Sequence, residues 1–261
     1  ALEDRRDRLK TMFVTPFMSC SARLPVYLLI SGMFFGKFAA PAAFSMYVFG
    51  LVMAIVVALI VSKLTKKYDT HTLLIELPEY KTPNPHTIFI YVWEKVKDYL
   101  TKAGTTIFLA SIVLWFLLNL GPHGLASGDM SDSFAAIAAR FLVPVMKPTG
   151  LGYWQIIVAL ISGVAAKEVV VSSMSVLFGV ANAASAEGMA ALSGVLGGMG
   201  FTWANAYTMM IFVLLYVPCV ATIGAIKRES GSWKFTLGTV CMQLGTAWVV
   251  SAVVYNLLRL I

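Results

Sequence analysis

The sequence predicts an all-α fold: a polytopic transmembrane helical bundle with about six membrane segments, two broken segments and an interfacial amphipathic helix. Three observations predict it. Hydrophobic residues make up 59% of the 261 residues and charged residues 13%, against about 45–50% and about 25% in soluble domains. The apolar residues fall in long blocks, each close to the roughly 20 residues a spanning helix needs. Lysine and arginine gather between these blocks, where the positive-inside rule places them. Short strands of alternating polarity, the mark of an outer-membrane barrel, are not seen.

In chain order, residues 1–64 form a first region with two membrane segments. Arg5, Arg6, Arg8 and Lys10 open it and favour the cytoplasmic side. No signal peptide is expected, since the charged start lacks a cleavage site; it also lacks an initiator Met and reads as a fragment of something longer. The first apolar run, Leu24 to Phe38, is short for a crossing, and its Gly32 and Gly36 make a GxxxG pair suited to close helix approach. The second run, Ala42 to Ser62, is uncharged and long enough to span.

Residues 65–102 read as a cytoplasmic elbow. Pro78, Pro83 and Pro85 break any long helix there. From His86 to Leu100, Phe89, Trp93, Val96 and Leu100 share one face, which predicts an amphipathic helix lying in the interface. Residues 103–178 form a central region: a third run, Ala103 to Leu120, an outer loop with a short helix over 133–146, and a fourth run, Trp154 to Leu177. Residues 179–204 read as a glycine-rich loop. Residues 205–261 hold a fifth run, Ala206 to Ile226, interrupted at Pro218, and a sixth, Phe235 to Leu258. Six simple crossings place the loops 180–204 and 227–234 against the positive-inside rule, and one re-entrant element in the fourth or fifth run would remove the conflict.

The stretch Pro16-Phe-Met-Ser-Cys20-Ser-Ala-Arg-Leu-Pro25 carries the chemistry. Proline removes a backbone donor, and irregular backbone at membrane depth survives only when buried in protein or facing a water-filled cavity. Pro218-Cys219-Val-Ala221 echoes it: at an offset of 199, Cys20, Ala22 and Gly32 align with Cys219, Ala221 and Gly231. Paired halves with a site at broken helices are common among transporters. Thiolates are soft ligands for late first-row ions, so Cys20 and Cys219 are candidate metal ligands, and small buried cysteines the bland alternative. Cys241, inside an ordinary apolar run, reads as structural. Lys167 and Glu168 sit deep in the fourth run, where ionisable residues are costly; Glu168 is a further ligand candidate, and an ion pair with Arg23 the alternative.

The chain reads as no enzyme. The Gly194 to Gly200 stretch lacks the Lys-Ser/Thr ending of a P-loop, and His71, His86 and His123 have no metal spacing. The net charge of +7 comes without a nucleic-acid-binding motif, so no nucleic-acid partner is expected. An odd cysteine count without close pairs argues against a disulfide framework.

These residues resemble the membrane portion of the bacterial ferrous iron transport protein B family. The resemblance rests on Leu2 to Leu9, Pro16 to Tyr27, Glu76 to Tyr80, Trp93-Glu94 with Lys102 to Thr105, Ala166 to Ser172, and Leu215 to Trp233. It implies two so-called Gate regions around Cys20 and Cys219, with each cysteine a contact for iron. It implies import of ferrous iron (Fe2+, the transported ion) across the bacterial inner membrane, under control of a GTP-binding domain not present in this chain. GTP and Mg2+ would then belong to that N-terminal domain alone. The implied partners are ferrous ion, the lipid bilayer, the GTP-binding domain and small cytoplasmic accessory proteins, with a homo-oligomer left open. Cys20 and Cys219 would supply the sulfur ligands, with Met18, Ser19 and Glu168 assisting. Two other readings stay open: a Gate-fold carrier for a nucleoside-like solute, using Lys167, Glu168 and Asn205, and a membrane thiol redox sensor using Cys20 and Cys219.

Overall fold

Helix α9 (Trp203–Leu215) sets the architecture, because it is largely apolar and buried along almost its whole length. A helix without a polar face must be surrounded by protein or lipid. Here α2 (Leu24–Phe35), α3 (Ala39–Leu64) and α11 (Trp233–Arg259) pack around it. The computed structural model describes residues 5–64, 84–122, 124–125, 133–180, 182–183 and 185–260. Glu76 to Tyr80, His71 and His123 lie outside the described residues.

The chain opens with α1 (Arg5–Val14), followed by two short 3-10 turns, Thr15–Phe17 and Ser21–Arg23. Helix α2 ends at Gly36, whose φ of +48° lies in the region glycine alone reaches without strain. The Gly32/Gly36 pair is therefore not a helix-contact motif: Gly36 makes the turn into α3, and only Gly32 faces a neighbour, Met189. Helix α3 buries Ala43, Met46, Gly50, Ala54 and Val57, a stripe at spacings of three and four. Its other faces carry exposed Leu51, Val52, Ile55, Leu59 and Ile60, as suits lipid contact. At Gly50 an added Cβ would stand 3.1 Å from the Phe17 carbonyl oxygen, so glycine lets α3 close against the first 3-10 turn.

The expected elbow helix and third run are one element. Helix α4 (Pro85–Asn119) runs 35 residues without a break, about 52 Å at 1.5 Å per residue. Asn84 caps it by accepting from the His86 amide, and Pro85 fits the first turn, where its missing N–H costs nothing. The division at residue 102 is thus absent from the backbone. A two-residue antiparallel ladder, Leu120–Gly121 with Gly124–Leu125, follows.

The expected short helix is present as α5 (Phe134–Met146), capped by the Ser133 hydroxyl accepting from the Ala136 amide. The fourth run is not one helix. It divides into α6 (Trp154–Ser162) and α7 (Val169–Leu177). Ser162 and Ser173 are 11 residues apart, yet their hydroxyls lie 2.7 Å from each other. A continuous helix would separate them by about 16 Å, so the chain folds back. The glycine-rich 179–204 stretch is not a plain loop either: it holds α8 (Ala186–Gly198), capped by Ser185, with Leu192 and Leu196 buried one turn apart. Gly194, Gly197 and Gly198 lie along open space, where they leave that helix intact.

The fifth run divides into α9 and α10 (Val220–Ser230). Gly231 ends α10 in the left-handed region, and Ser232 caps α11 by accepting from the Phe235 amide. By length and hydropathy, three helical stretches among the described residues could cross a membrane: Asp7–Lys63, Trp203–Ser230 and Trp233–Arg259. A fourth arises if α5 with its last turn and α6, bent by 102°, count as one. The first stretch contains both α2 and α3, which pack on each other across the Gly36 turn.

Candidate functional site

Three helix interruptions meet at one place. In the first, Pro16 opens a 3-10 turn, and Met18 and Cys20 are then extended, with ψ of 137° and 161°. Pro25 allows the next helix to begin. Arg23, 3% exposed, turns back into this bend. Its Nη1 donates to the Met18 carbonyl at 2.8 Å and its Nη2 to the Pro16 carbonyl at 3.0 Å.

The second interruption spans residues 163–168, between α6 and α7. Gly163 is needed there: a Cβ would run into the Val170 side chain and the Tyr216 hydroxyl. Lys167 is 2% exposed. Its Nζ donates to the Val217 carbonyl at 2.6 Å and lies 3.2 Å from the Tyr216 ring centroid, a placement that offers a desolvated ammonium both a carbonyl and a π face. Glu168 takes the N-cap position of α7 and is exposed. It makes no ion pair with Arg23 or Lys167; among the described residues the one such pair within 4.0 Å is Lys10–Asp7.

The third interruption runs from Tyr216 to Cys219. Pro218 cannot continue α9, and Cys219 becomes the N-cap residue of α10 with ψ of 156°. The Cys219 Sγ and the Thr222 Oγ1 are 3.2 Å apart. The Val220 amide crosses to the Val164 carbonyl at 2.9 Å, so the second and third interruptions are joined through backbone.

Between them lies a cavity of about 420 Å³. Met18, Ser19, Cys20, Glu168 and Cys219, the five site residues expected from the sequence, all line it. Cys20, Met18 and Glu168 are exposed; Ser19 and Cys219 are half-buried. All three cysteines are free thiols. Among the described residues no three His, Cys, Asp or Glu side chains form a group able to hold an ion. Any cation in the cavity would therefore keep water or take hydroxyl, thioether or backbone oxygen as further ligands.

The offset of 199 holds where the cavity lies and fails beyond it. Cys20, Ala22, Cys219 and Ala221 all line the wall. Gly32 sits inside α2, whereas Gly231 ends α10. Asn205 is not at the site: its Oδ1 accepts from the amide and hydroxyl of Thr202, and its Nδ2 donates to the Gly150 carbonyl at 2.7 Å. Cys241 faces a separate apolar cavity of about 570 Å³ beside α5, α6 and α9. Sequence reasoning missed Thr222, Tyr216 and the carbonyl partners of Arg23 and Lys167. Thr222 carried a signal, standing three residues after Cys219 on the same helix face.

Two family models match the chain. The Gate family, described as nucleoside recognition, matches residues 100–233, and the ferrous iron transport protein B C terminus matches residues 43–95. The Fe(2+) transporter FeoB of Staphylococcus aureus (strain COL) is 40% identical over 98% of the chain. The chain belongs to the Gate family and corresponds to the C-terminal membrane portion of the ferrous iron transport protein B relatives. Its FeoB relative in Methanocaldococcus jannaschii is 37% identical over 97% of the chain. A Porphyromonas gingivalis relative, named as a fusion of Fe(2+) transport protein A with FeoB, is 33% identical over 98%. The chain spans 37% of the length of the first two FeoB relatives and 35% of the third. No solved structure matches it. Family membership and the apolar helices make it a multi-pass membrane protein.

Proposed function

We propose that the chain is the transmembrane core of a ferrous iron importer, with the iron passing between the thiols of Cys20 and Cys219. One observation carries this reading: the two cysteines come from different helix interruptions and face one cavity. Relatives named Fe(2+) transporter supply the ion. Sulfur favours iron over the hard cations of the cell, and a sparse ligand set suits release as well as capture. Met18, Ser19 and Glu168 assist, through thioether, hydroxyl and carboxylate oxygen. The chain sits in the bacterial inner membrane, controlled by a GTP-binding domain of the same protein that carries the GTP and Mg2+. The fused relative supports a small accessory protein A as partner.

Uptake of radioactive iron(II) by cells expressing Cys20→Ser or Cys219→Ser at normal membrane levels tests the ligand role. Both should lose most uptake, and unchanged uptake in both would overturn it. A second reading follows from the description of the matched Gate family: a carrier for a nucleoside-like solute. It draws less support, because Asn205 is taken up by structural hydrogen bonds. Thermal stabilisation of the purified protein separates the two, since only a true ligand raises the melting temperature in proportion to its occupancy.

A further inference from the structure

Every helix interruption releases backbone carbonyls that the helix would have used. In broken-helix transport sites such carbonyls commonly become the ligands of a hard cation. Here four of them have other partners. The Pro16 and Met18 carbonyls accept from Arg23, the Val217 carbonyl from Lys167, and the Val164 carbonyl from the Val220 amide. Pro16 and Met18 line the cavity, and Val164 and Val217 each precede a residue that does, Ala165 and Pro218. Arg23 and Lys167 are both almost fully buried, and neither has a carboxylate within 4.0 Å among the described residues. Their placement is not explained by an ion pair.

We propose that Arg23 and Lys167 are specificity-determining residues: they hold three of the carbonyls released by the helix interruptions, those of Pro16, Met18 and Val217, so the cavity presents sulfur and hydroxyl to a cation in place of a full carbonyl cage. The inference rests on the reading of this cavity as the iron path. Calcium and magnesium bind through carbonyl, carboxylate and water oxygen, whereas thiolate and thioether select softer ions. With these carbonyls occupied, a hard cation finds one carboxylate, Glu168, and the positive charge of the Arg23 guanidinium. Iron gains sulfur ligation in compensation, and calcium gains nothing comparable. The same two side chains thus shape the bends and reject the wrong ion.

The test is calcium competition against iron(II) uptake by the full-length protein reconstituted in liposomes. Arg23→Met and Lys167→Met remove the donors; Arg23→Lys and Lys167→Arg keep one. The ratio of calcium inhibition to iron uptake is read within each variant, so it does not depend on how much protein folds. In the Met variants calcium should compete about tenfold better, which corresponds to about 1.4 kcal/mol, and in the conservative variants it should compete as in the parent protein. Where a Met variant takes up no iron, a calcium-dependent rise in melting temperature absent from the parent supports the inference, and its absence overturns it. Iron uptake with unchanged calcium competition in both Met variants also overturns it, leaving the iron path intact. A parent protein that takes up no iron defeats the reading of the cavity instead.

Discussion

The Lys167 ammonium and the Val217 carbonyl oxygen are 2.6 Å apart, and this contact joins two helix interruptions that lie 50 residues apart in sequence. Together with the amide of Val220 on the carbonyl of Val164, it makes the second and third interruptions a single unit. Glu168 and Cys219 therefore share one wall of the cavity, while Cys20 stands on a bend held by Arg23.

Removing that contact should be measurable as stability. Lys167→Met keeps most of the volume and leaves the partly buried Val217 carbonyl without its donor, a loss of about 1–3 kcal/mol. A thermal melt of the purified protein in detergent should show a lower midpoint. A melt equal to that of the parent would mean that the backbone bond at Val220 suffices.

Gly163 and Gly194 form a matched pair of probes. Gly163→Ala drives a methyl into Val170 and Tyr216, and overpacking of this kind costs about 1–3 kcal/mol. Gly194→Ala enters open space on α8 and should stabilise by up to about 1 kcal/mol through helix propensity. Parallel melts should move in opposite directions.

The cysteines should separate by function. Cys241→Ser changes a residue beside the apolar cavity and should leave iron uptake as in the parent. Cys20→Ser and Cys219→Ser alter the walls of the proposed iron path and should lower it. Uptake assays at matched membrane levels check this, and equal loss in all three would place the effect in folding.

Asn205 should behave as a structural residue. Asn205→Ala removes the acceptor for Thr202 and the donor to Gly150, at about 1–2 kcal/mol for a helix cap alone. The melting temperature should fall, with the iron dependence of uptake in the surviving protein unchanged.

What could be read in the sequence was whatever local chemistry dictates. Apolar runs announced α3, α5 and α11, and proline beside cysteine announced the bends at Cys20 and Cys219. The remainder depends on partners distant in the chain. Residues 163–168 hold no proline, and Gly163 alone marks the re-entrant element offered for the fourth or fifth run; the bend itself is held by Val217 and Val220. Glycine masked α8, whose stability comes from buried Leu192 and Leu196. The prolines before His86 suggested an elbow with its own helix, but they stop at residue 85, and nothing after it breaks α4. Arg23 looked like half of an ion pair, because a sequence shows charges and hides the carbonyls a bend sets free.

Helix α4 packs against α10, the helix that Cys219 caps, and it does so as one unbroken rod. A rod has no joint in which to dissipate displacement. A push or twist on its first turns, near Pro85, must be taken up by its far neighbours or by α10. The exposed, partly charged start of α4 is thus mechanically continuous with the wall that carries a thiol, much as a door handle is with its latch.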